Sequence, residues 1–305
     1  MQLHQPPVTP VVAPAEVTFR NGIQIPNGQP VWSLHDHGGQ FGHSVFEGMR
    51  IVGGKLLLEK EHTDRLYRSA DLDHVRIPMI PKDIYRASLV EAIKTSGYSD
   101  AYIRVQISRG PGSLGIDPDT CGEPVYVINV SELKLYPDEV YANGINLAVA
   151  TKKKIGKDSM NLSEIKCGNY LNNILALMSV KSDEVKDAIM ITREGWISEA
   201  TVANIFWIKG NTLYTPSLET NCLEGTTINR VCELAKRLGY QVERGEYFVE
   251  HLLEADEAGL TGTGAGILAI ATINEQKIGS GKRGPQVQRL TDTYKETMHE
   301  VLTEL

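Results

Sequence analysis

The chain has 305 residues, of which 41% are hydrophobic and 23% are charged, and its formal net charge is -7. This length exceeds one compact core and predicts two domains, and the composition is typical of a globular enzyme. The negative charge argues against nucleic acid or anionic lipid as the main partner. The apolar stretches are too short to predict a membrane span.

The amino terminus and the cysteines indicate the expected compartment. Residues 1–20 are rich in Pro and Val and lack the basic and apolar regions of a signal peptide, and we predict a disordered or extended arm. The cysteines show no metal-ligand spacing; they are Cys121, Cys167, Cys222 and Cys232. We therefore expect free thiols, no bound metal and a cytoplasmic location.

Residues 21–135 are predicted to form a small α+β domain. A strand at 44–52, a turn at Gly53-Gly54 and a returning strand at 55–58 form a hairpin. Further elements follow in chain order: helices at 60–71 and 81–96, then strands at 102–108 and 124–130.

A connector at 136–144 leads to a larger domain at 145–305. Its predicted strands are 145–151, 188–192, 196–208, 212–215 and 267–273, and its predicted helices are 169–182, 227–238 and 286–305. Hairpins beside helices indicate an α+β fold with mixed or barrel-like sheets rather than repeated βαβ units.

Three features of the larger domain could carry chemistry. Lys166 precedes an amphipathic helix and is followed by four uncharged residues, and a lysine becomes a nucleophile when desolvation or a nearby cation lowers its pKa. Glu199 lies among small and apolar residues, where a carboxylate needs a partner such as a pyridinium nitrogen. Gly225-Thr226-Thr227 begins a helix, so that backbone N–H groups and hydroxyls converge into an anion site.

Each feature also has an ordinary interpretation: a solvated lysine, a glutamate at a strand edge, or a threonine N-cap. The cluster 262–266 fits a nucleotide-binding glycine motif poorly and fits a backbone nest for phosphate or carboxylate better. His35-Asp36-His37 favours a polar turn over a metal site, because no third ligand is in view. In this order, however, an amine, a carboxylate and two phosphate-type clusters suggest covalently held pyridoxal phosphate.

An ordered set of segments across residues 30–290 resembles a known family. The segments are Phe41-Gly42, Val45-Phe46-Glu47-Gly48-Met49-Arg50, Glu61-His62, Arg65-Leu66-Tyr67, Tyr102-Ile103-Arg104, Lys166 with Asn169-Tyr170-Leu171, Ser198-Glu199, Asn204-Ile205-Phe206, Leu223-Glu224-Gly225, Ala255-Asp256-Glu257, Thr261-Gly262-Thr263 and Gly284-Pro285. The chain resembles fold-type IV pyridoxal-phosphate aminotransferases, most closely those of branched-chain amino acids. The resemblance implies a small α/β sandwich domain, a larger pseudo-barrel domain and a homodimer, with a higher oligomer such as a hexamer as the alternative.

The resemblance also implies roles for individual residues. Lys166 would form the Schiff base with the cofactor and move the substrate proton. Glu199 would pair with the pyridine nitrogen, and Tyr170 with the phenolic oxygen of the cofactor. The other cofactor-binding residues would be Arg65, Leu223, Gly225, Thr226, Thr227 and Thr263. Residues on the substrate side would be Phe46, Gly48, Arg50, Tyr102, Arg104, Thr263 and Gly264.

The loop that follows the predicted strand 102–108 distinguishes subfamilies of these aminotransferases. Leu114 and Ile116 stand where similar D-amino acid aminotransferases have Arg and His, and apolar residues there suit a hydrophobic side-chain pocket. Arg104 suits the distal carboxylate of glutamate. The resemblance thus implies transfer of an amino group from an L-branched-chain amino acid to 2-oxoglutarate. The alternatives are a transaminase of D-amino acids or R-amines, a lyase similar to aminodeoxychorismate lyase, and a member of the family without turnover.

A few positions depart from the family pattern. They are His43, Ala200, Ala203 and the run Gly264-Ala265-Gly266. We expect cofactor chemistry to survive these changes, whereas substrate binding beside Gly264 is the part that they affect.

Overall fold

The computed structural model describes residues 16–71, 73 and 75–305. Its first strands are β1 Val17–Arg20, β2 Ile23–Ile25, β3 Ser44–Val52, β4 Lys55–Leu57, β5 Ala101–Ser108 and β6 Val125–Ser131. The later strands are β7 Ile145–Val149, β8 Val185–Ile191, β9 Ile197–Ala200, β10 Asn204–Lys209, β11 Thr212–Pro216, β12 Gln241–Gly245, β13 Glu257–Gly262, β14 Gly266–Ile273, β15 Gln276–Lys277 and β16 Leu302–Thr303. The helices are α1 His37–Phe41, α2 Glu59–Ser69, α3 Lys82–Ser96, α4 Asp138–Asn143, α5 Leu171–Met178, α6 Thr226–Arg237, α7 Val249–Leu253 and α8 Pro285–Glu296.

The first sheet is antiparallel throughout and has the strand order β16-β4-β3-β5-β6-β1-β2. The predicted hairpin is confirmed, because β3 and β4 pair across Gly53-Gly54 and both glycines have positive φ. Helices α2 and α3 pack on this sheet, and their apolar side chains share one core with those of β3 and β5. The core therefore holds β3 and β5 rigidly, and both strands contribute to the site described below.

The second sheet is mixed. Its order is β12-β11-β10-β13-β14-β7-β8-β9, with parallel pairs β11·β12, β14·β7 and β7·β8. Strand β9 at one end also contacts β10 and β11, so the sheet curls on itself. The predicted strand 196–208 is two strands, β9 and β10. The predicted α+β fold with a barrel-like sheet is confirmed.

Residues 1–20 are predicted as a disordered or extended arm, and the last four of them are extended and paired in the first sheet. Residues 17–20 form β1, which pairs with β2 and β6. Val17 and Phe19 alternate inward and are buried in the first core, and this burial stabilises the strand. Residues 1–15 lie outside the described part of the chain.

The prediction of one helix over residues 286–305 is wrong for the residues after Glu296. Helix α8 ends there, a 3-10 turn spans Met298–Val301, and β16 then pairs with β4 of the first sheet. Glu300 in that turn accepts from Arg230 and Arg237, each at 2.7 Å. The end of the chain thus returns to the first sheet, and the proposed division at residues 136–144 remains a prediction.

Helix α5 is shorter than the predicted 169–182, and the described residues of the chain leave its apolar face largely uncovered. That face is 42–70% exposed and consists of Leu171, Ile174, Leu175 and Met178. Periodicity located the face correctly but could not tell what packs on it. Within the described residues, no helix is both long enough and apolar enough to cross a membrane.

Candidate active site

A cavity of about 890 Å³ opens between the two sheets. Strands β3 and β5 line one side, and the segments around β9, β13 and the start of α6 line the other. The predicted site residues that line it are Phe46, Gly48, Arg65, Tyr102, Arg104, Lys166, Tyr170, Glu199, Leu223, Gly225, Thr226, Thr227, Thr263 and Gly264. Folding therefore brings together groups that lie up to 218 residues apart in the chain.

Arg50 is the predicted site residue that does not line this cavity. It lies on β3, two residues beyond Gly48, and its buried Nε has no hydrogen-bond partner among the residues that the structure describes. Its charge lies close to Tyr141 and Tyr294 instead. A direct substrate contact of Arg50 is therefore not supported by its position.

The backbone around Lys166 is pinned to the first sheet. The Phe46 amide donates to the Lys166 carbonyl at 3.0 Å, and the Lys166 amide donates to Ser69 Oγ at 3.0 Å. Lys166 Nζ lies 3.4 Å from Tyr170 Oη and 4.5 Å from the centroid of the Phe46 ring. Burial and the neighbouring Arg65 charge lower the pKa of Lys166 to about 8. A larger fraction of this amine is therefore uncharged and nucleophilic near neutral pH than for an ordinary lysine.

The carboxylate of Glu199 is buried but not unpaired. Lys154 donates to its Oε1 in a buried ion pair, and the Leu223 amide donates to its Oε2 at 3.1 Å. Sequence reasoning missed Lys154, because it closes a run of three lysines and such runs are usually solvated. Together these donors keep a carboxylate in the cavity at an acceptable cost in desolvation.

Arg65 belongs to a buried network that the sequence did not reveal. Its Nε and Nη2 donate to the two Glu47 oxygens at 2.6 and 2.8 Å, and its Nη1 donates to the Glu224 carbonyl at 2.9 Å. His62 Nδ1 lies 2.8 Å from Glu47 Oε2. Although burial works to raise it, the pKa of Glu47 falls to about 2 because Arg65 and His62 stabilise the carboxylate. Glu47 and His62 occur in the family-like segments, and that was the only signal for them.

The amino terminus of α6 faces the cavity without a side-chain cap. A Cβ on Gly225 would lie 1.9 Å from Asn204 Oδ1, so only glycine fits while Asn204 Nδ2 donates to the Leu223 carbonyl at 2.7 Å. The hydroxyls of Thr226 and Thr263 lie 3.3 and 3.4 Å from His62 Nε2. Uncapped N–H groups, two hydroxyls and the helix dipole form a cradle for an anion.

The opposite side of the cavity carries a second cation. Arg104 on β5 pairs with Gly48 on β3, and its guanidinium lies 3.5 Å from the centroid of the Phe46 ring. Burial lowers the pKa of Arg104, while the nearby Tyr102 hydroxyl opposes that shift. The guanidinium remains available to an anionic ligand that enters from this side.

Gly48 leaves the space that the Tyr102 side chain occupies. A Cβ at position 48 would lie 1.9 Å from Tyr102 Oη, so Gly48→Ala must displace the tyrosine. We expect this variant to raise KM for a substrate bound in this cavity about tenfold or more, which corresponds to the loss of one well-placed contact. The matched control is Gly39→Ala, where no atom of the described residues lies within 4 Å of the added Cβ. Steady-state kinetics that show the same KM in both variants would contradict the assigned place of Tyr102.

Two sequence features are placed away from the cavity. Leu114 and Ile116 are 78% and 79% exposed and do not line it, so they do not form the predicted apolar pocket within one chain. In the polar turn, Asp36 accepts from the Gly38 amide and from Ser108 Oγ, each at 2.8 Å. His37 Nε2 lies 2.9 Å from the Ser113 carbonyl, so this segment has structural partners.

Comparisons with known proteins identify the family. The family model for amino-transferase class IV matches residues 44–273, and the chain belongs to that family of pyridoxal-phosphate-dependent aminotransferases. A putative branched-chain-amino-acid aminotransferase of Methanocaldococcus jannaschii is 32% identical over 91% of this chain and 95% of its own length. An aminodeoxychorismate lyase of Bacillus subtilis is 30% identical over 94% of this chain and 96% of its own length.

A solved structure gives the same result. The branched-chain amino acid aminotransferase of Escherichia coli superposes with a TM-score of 0.87 at 26% identity. The match covers 92% of this chain and 94% of that structure. The predicted family and fold class are thereby confirmed.

The cavity suits the cofactor of this family. It offers an amine of lowered pKa at Lys166 and a paired carboxylate at Glu199. It also offers an uncapped helix terminus flanked by the Thr226 and Thr263 hydroxyls. These groups match an aldehyde, a pyridine nitrogen and a phosphate, respectively. The chain therefore has the donor set that pyridoxal phosphate requires.

Proposed function

We propose that this chain transfers the amino group of an L-branched-chain amino acid to 2-oxoglutarate, with pyridoxal phosphate held by Lys166. The observation that carries the proposal is the Lys166 amine, of pKa about 8, in a cavity with an anion cradle on one side and Arg104 on the other. When bound, the cofactor supplies a ring that accepts the electrons left when the substrate loses its Cα proton. The branched-chain relatives support the choice of donor.

Each residue around that ring has a separate role in the proposal. The nucleophilic amine of Lys166 would hold the cofactor and, once released from it, would take the proton from the substrate Cα. Glu199, supported by Lys154, would accept a hydrogen bond from the ring nitrogen, and Tyr170 would donate one to the phenolic oxygen. Arg65 still has N–H groups beyond those that bond Glu47 and Glu224, and we assign them to the phosphate.

Both half-reactions are tested by the visible absorption spectrum of the purified protein with its cofactor. We expect the cofactor band to fall when L-leucine is added and to return with 2-oxoglutarate. A band that L-leucine leaves unchanged but that responds to D-alanine or to an R-amine would assign the chain to the alternative transaminases.

Arg104 is the residue that we assign to the distal carboxylate of 2-oxoglutarate. We expect Arg104→Met to raise KM for 2-oxoglutarate about 10- to 100-fold, because a charged hydrogen bond contributes about 1.5–3 kcal/mol. KM for L-leucine should change less, since that substrate has no distal charge. Equal effects on both substrates, measured by steady-state kinetics, would argue against this role. Arg109→Met is the matched control, because Arg109 bonds the Gly122 carbonyl and does not line the cavity.

A second candidate is a lyase that acts on aminodeoxychorismate. It is favoured by the Bacillus subtilis relative, which is as similar over its length as the branched-chain relatives are. Release of pyruvate from aminodeoxychorismate without any amino acceptor would establish it. If no pyruvate is released and both spectral changes described above are seen, the chain is a transaminase rather than a lyase.

We further propose a homodimer. The exposed apolar face of α5, together with the exposed Leu114 and Ile116, supports it, because exposed apolar surface of this kind marks interaction sites. We expect sedimentation of the wild type at twice the chain mass and a shift of Ile174→Glu toward the monomer. Lys181→Glu is the control, because Lys181 is an exposed lysine just after the end of α5, and this variant should stay dimeric. A monomeric wild type would refute the proposal.

We also propose a cytoplasmic location. All four cysteines are free thiols, and three of them are buried. Such thiols are typical of a reducing compartment. Cell fractionation with an antibody against the chain would test this, and recovery from an oxidising compartment would contradict it.

A further inference from the structure

The ring of His62 connects the buried ion pair to the anion cradle. It is fully buried, with Nδ1 at 2.8 Å from Glu47 Oε2 and Nε2 at 3.3 and 3.4 Å from Oγ1 of Thr226 and Thr263. The Glu47 carboxylate is ionised and has only lone pairs to offer, so Nδ1 must carry a proton. Whether Nε2 also carries one decides how the two threonine hydroxyls point.

If His62 is neutral, Nε2 has one lone pair and accepts the hydroxyl proton of Thr226 or of Thr263. The threonine that donates to it then presents oxygen lone pairs to the cavity, which repel a dianion. If His62 is protonated, Nε2–H donates to a threonine oxygen. The hydroxyl protons are then free to turn toward the cavity and donate to a phosphate.

We propose that His62 takes up a proton from solvent when a dianionic phosphate binds in this cradle, and that the imidazolium positions the Thr226 and Thr263 hydroxyls as donors. The inference rests on the proposed function, since the phosphate is that of the cofactor. It makes His62 a positioning residue that contacts the phosphate only through the threonines.

The surrounding charges explain why the proton arrives with the anion. Glu47 on β3 and Arg65 on α2 face His62 and nearly cancel, and Lys166 lies on the loop before α5. Without the anion, burial lowers the pKa of His62 below its usual range, while Glu47 opposes that shift. A dianion at the cradle adds negative charge that favours the imidazolium. Between the free and the bound pKa, affinity for a dianion falls about tenfold per pH unit as pH rises.

Sulfate is the suitable probe, because it is dianionic over pH 6–8 and cannot itself take up a proton. Binding would be measured on the full chain without cofactor, in a Lys166→Met background, since Lys166 also loses its charge near pH 8. We expect sulfate affinity to fall about tenfold per pH unit. Adding His62→Asn should weaken binding at pH 6.5 and abolish the slope. Adding His299→Asn, an exposed histidine, should leave the slope unchanged.

The outcomes separate the inference from the proposed function. Sulfate binding whose affinity does not depend on pH would overturn the role of His62 and leave the cradle in place. No sulfate binding at any pH would overturn both. If His62→Asn does not fold, the ¹⁵N shifts of the His62 ring in the sulfate complex at pH 7.5 decide. Two protonated nitrogens support the inference, and one unprotonated nitrogen overturns it.

Discussion

Lys166→Ala should abolish turnover while leaving the fold intact. Lys166 is the lysine whose amine faces Tyr170 in the cavity, whereas the buried Lys154 is committed to Glu199. Because Lys166 is the proposed nucleophile and the proposed carrier of the substrate proton, its loss should lower kcat at least about a thousandfold. The measurement is steady-state turnover of L-leucine with 2-oxoglutarate, together with the circular dichroism spectrum.

Lys152→Ala is the matched control, because Lys152 is an exposed lysine in the same segment between β7 and α5. It should keep wild-type turnover. If Lys166→Ala retained turnover within about tenfold of the control, the assignment of Lys166 would be wrong, and the proposed mechanism would fail with it.

Glu47→Gln should produce the largest loss of stability among single substitutions near the site. Glu47 is fully buried and bonds both Arg65 and His62, so removing its charge leaves the guanidinium without its counterion. Breaking a buried ion pair in this way costs about 3–5 kcal/mol in the free energy of unfolding. Chemical denaturation at pH 7 would measure it. Cofactor affinity should fall too, because Arg65 is held in place by the same carboxylate.

Asp64→Asn is the control, since Asp64 pairs with the exposed Lys60 and Lys82 at the surface. It should cost less than about 1 kcal/mol. The pH dependence gives a second check. Since the pKa of Glu47 is lowered from 4.5 to about 2, its contribution is present above pH 4.5 and is lost as pH falls toward 2. The stability difference between wild type and Glu47→Gln should therefore shrink over that range, and a constant difference would contradict the ion-pair account.

The sequence was sufficient to predict the elements and site residues that depend on local rules or on ordered motifs. The hairpin of β3 and β4 follows from alternating residues around Gly53-Gly54, and α3 follows from Pro81 and Gly97 at its ends. The ordered family-like segments located Lys166, Glu199 and the start of α6, all of which line the cavity. These features depend on neighbours in sequence or on a constellation of motifs, and both can be seen before folding.

Local sequence patterns gave incomplete or wrong predictions where a distant segment decides the secondary structure or the position of a side chain. Residues 17–20 pair with the nearby β2 and also with the distant β6, and the end of the chain leaves α8 to pair with β4. Neither β6 nor β4 is close in sequence to the segment that pairs with it. Arg50 lies on the same strand as Gly48 but does not line the cavity, and that placement depends on how the second sheet meets the first.

The sequence by itself determined the family and the cofactor class, and it predicted the lysine, because motif order and residue chemistry carry that information. Only the tertiary structure decided which charges meet. Lys154 reaches Glu199 across 45 residues, and His62 reaches Thr226 and Thr263 across 164 and 201 residues. The physical reason is that the pKa of a buried group and the direction of its hydrogen bonds depend on neighbours in space, and packing of the two sheets brings those neighbours together.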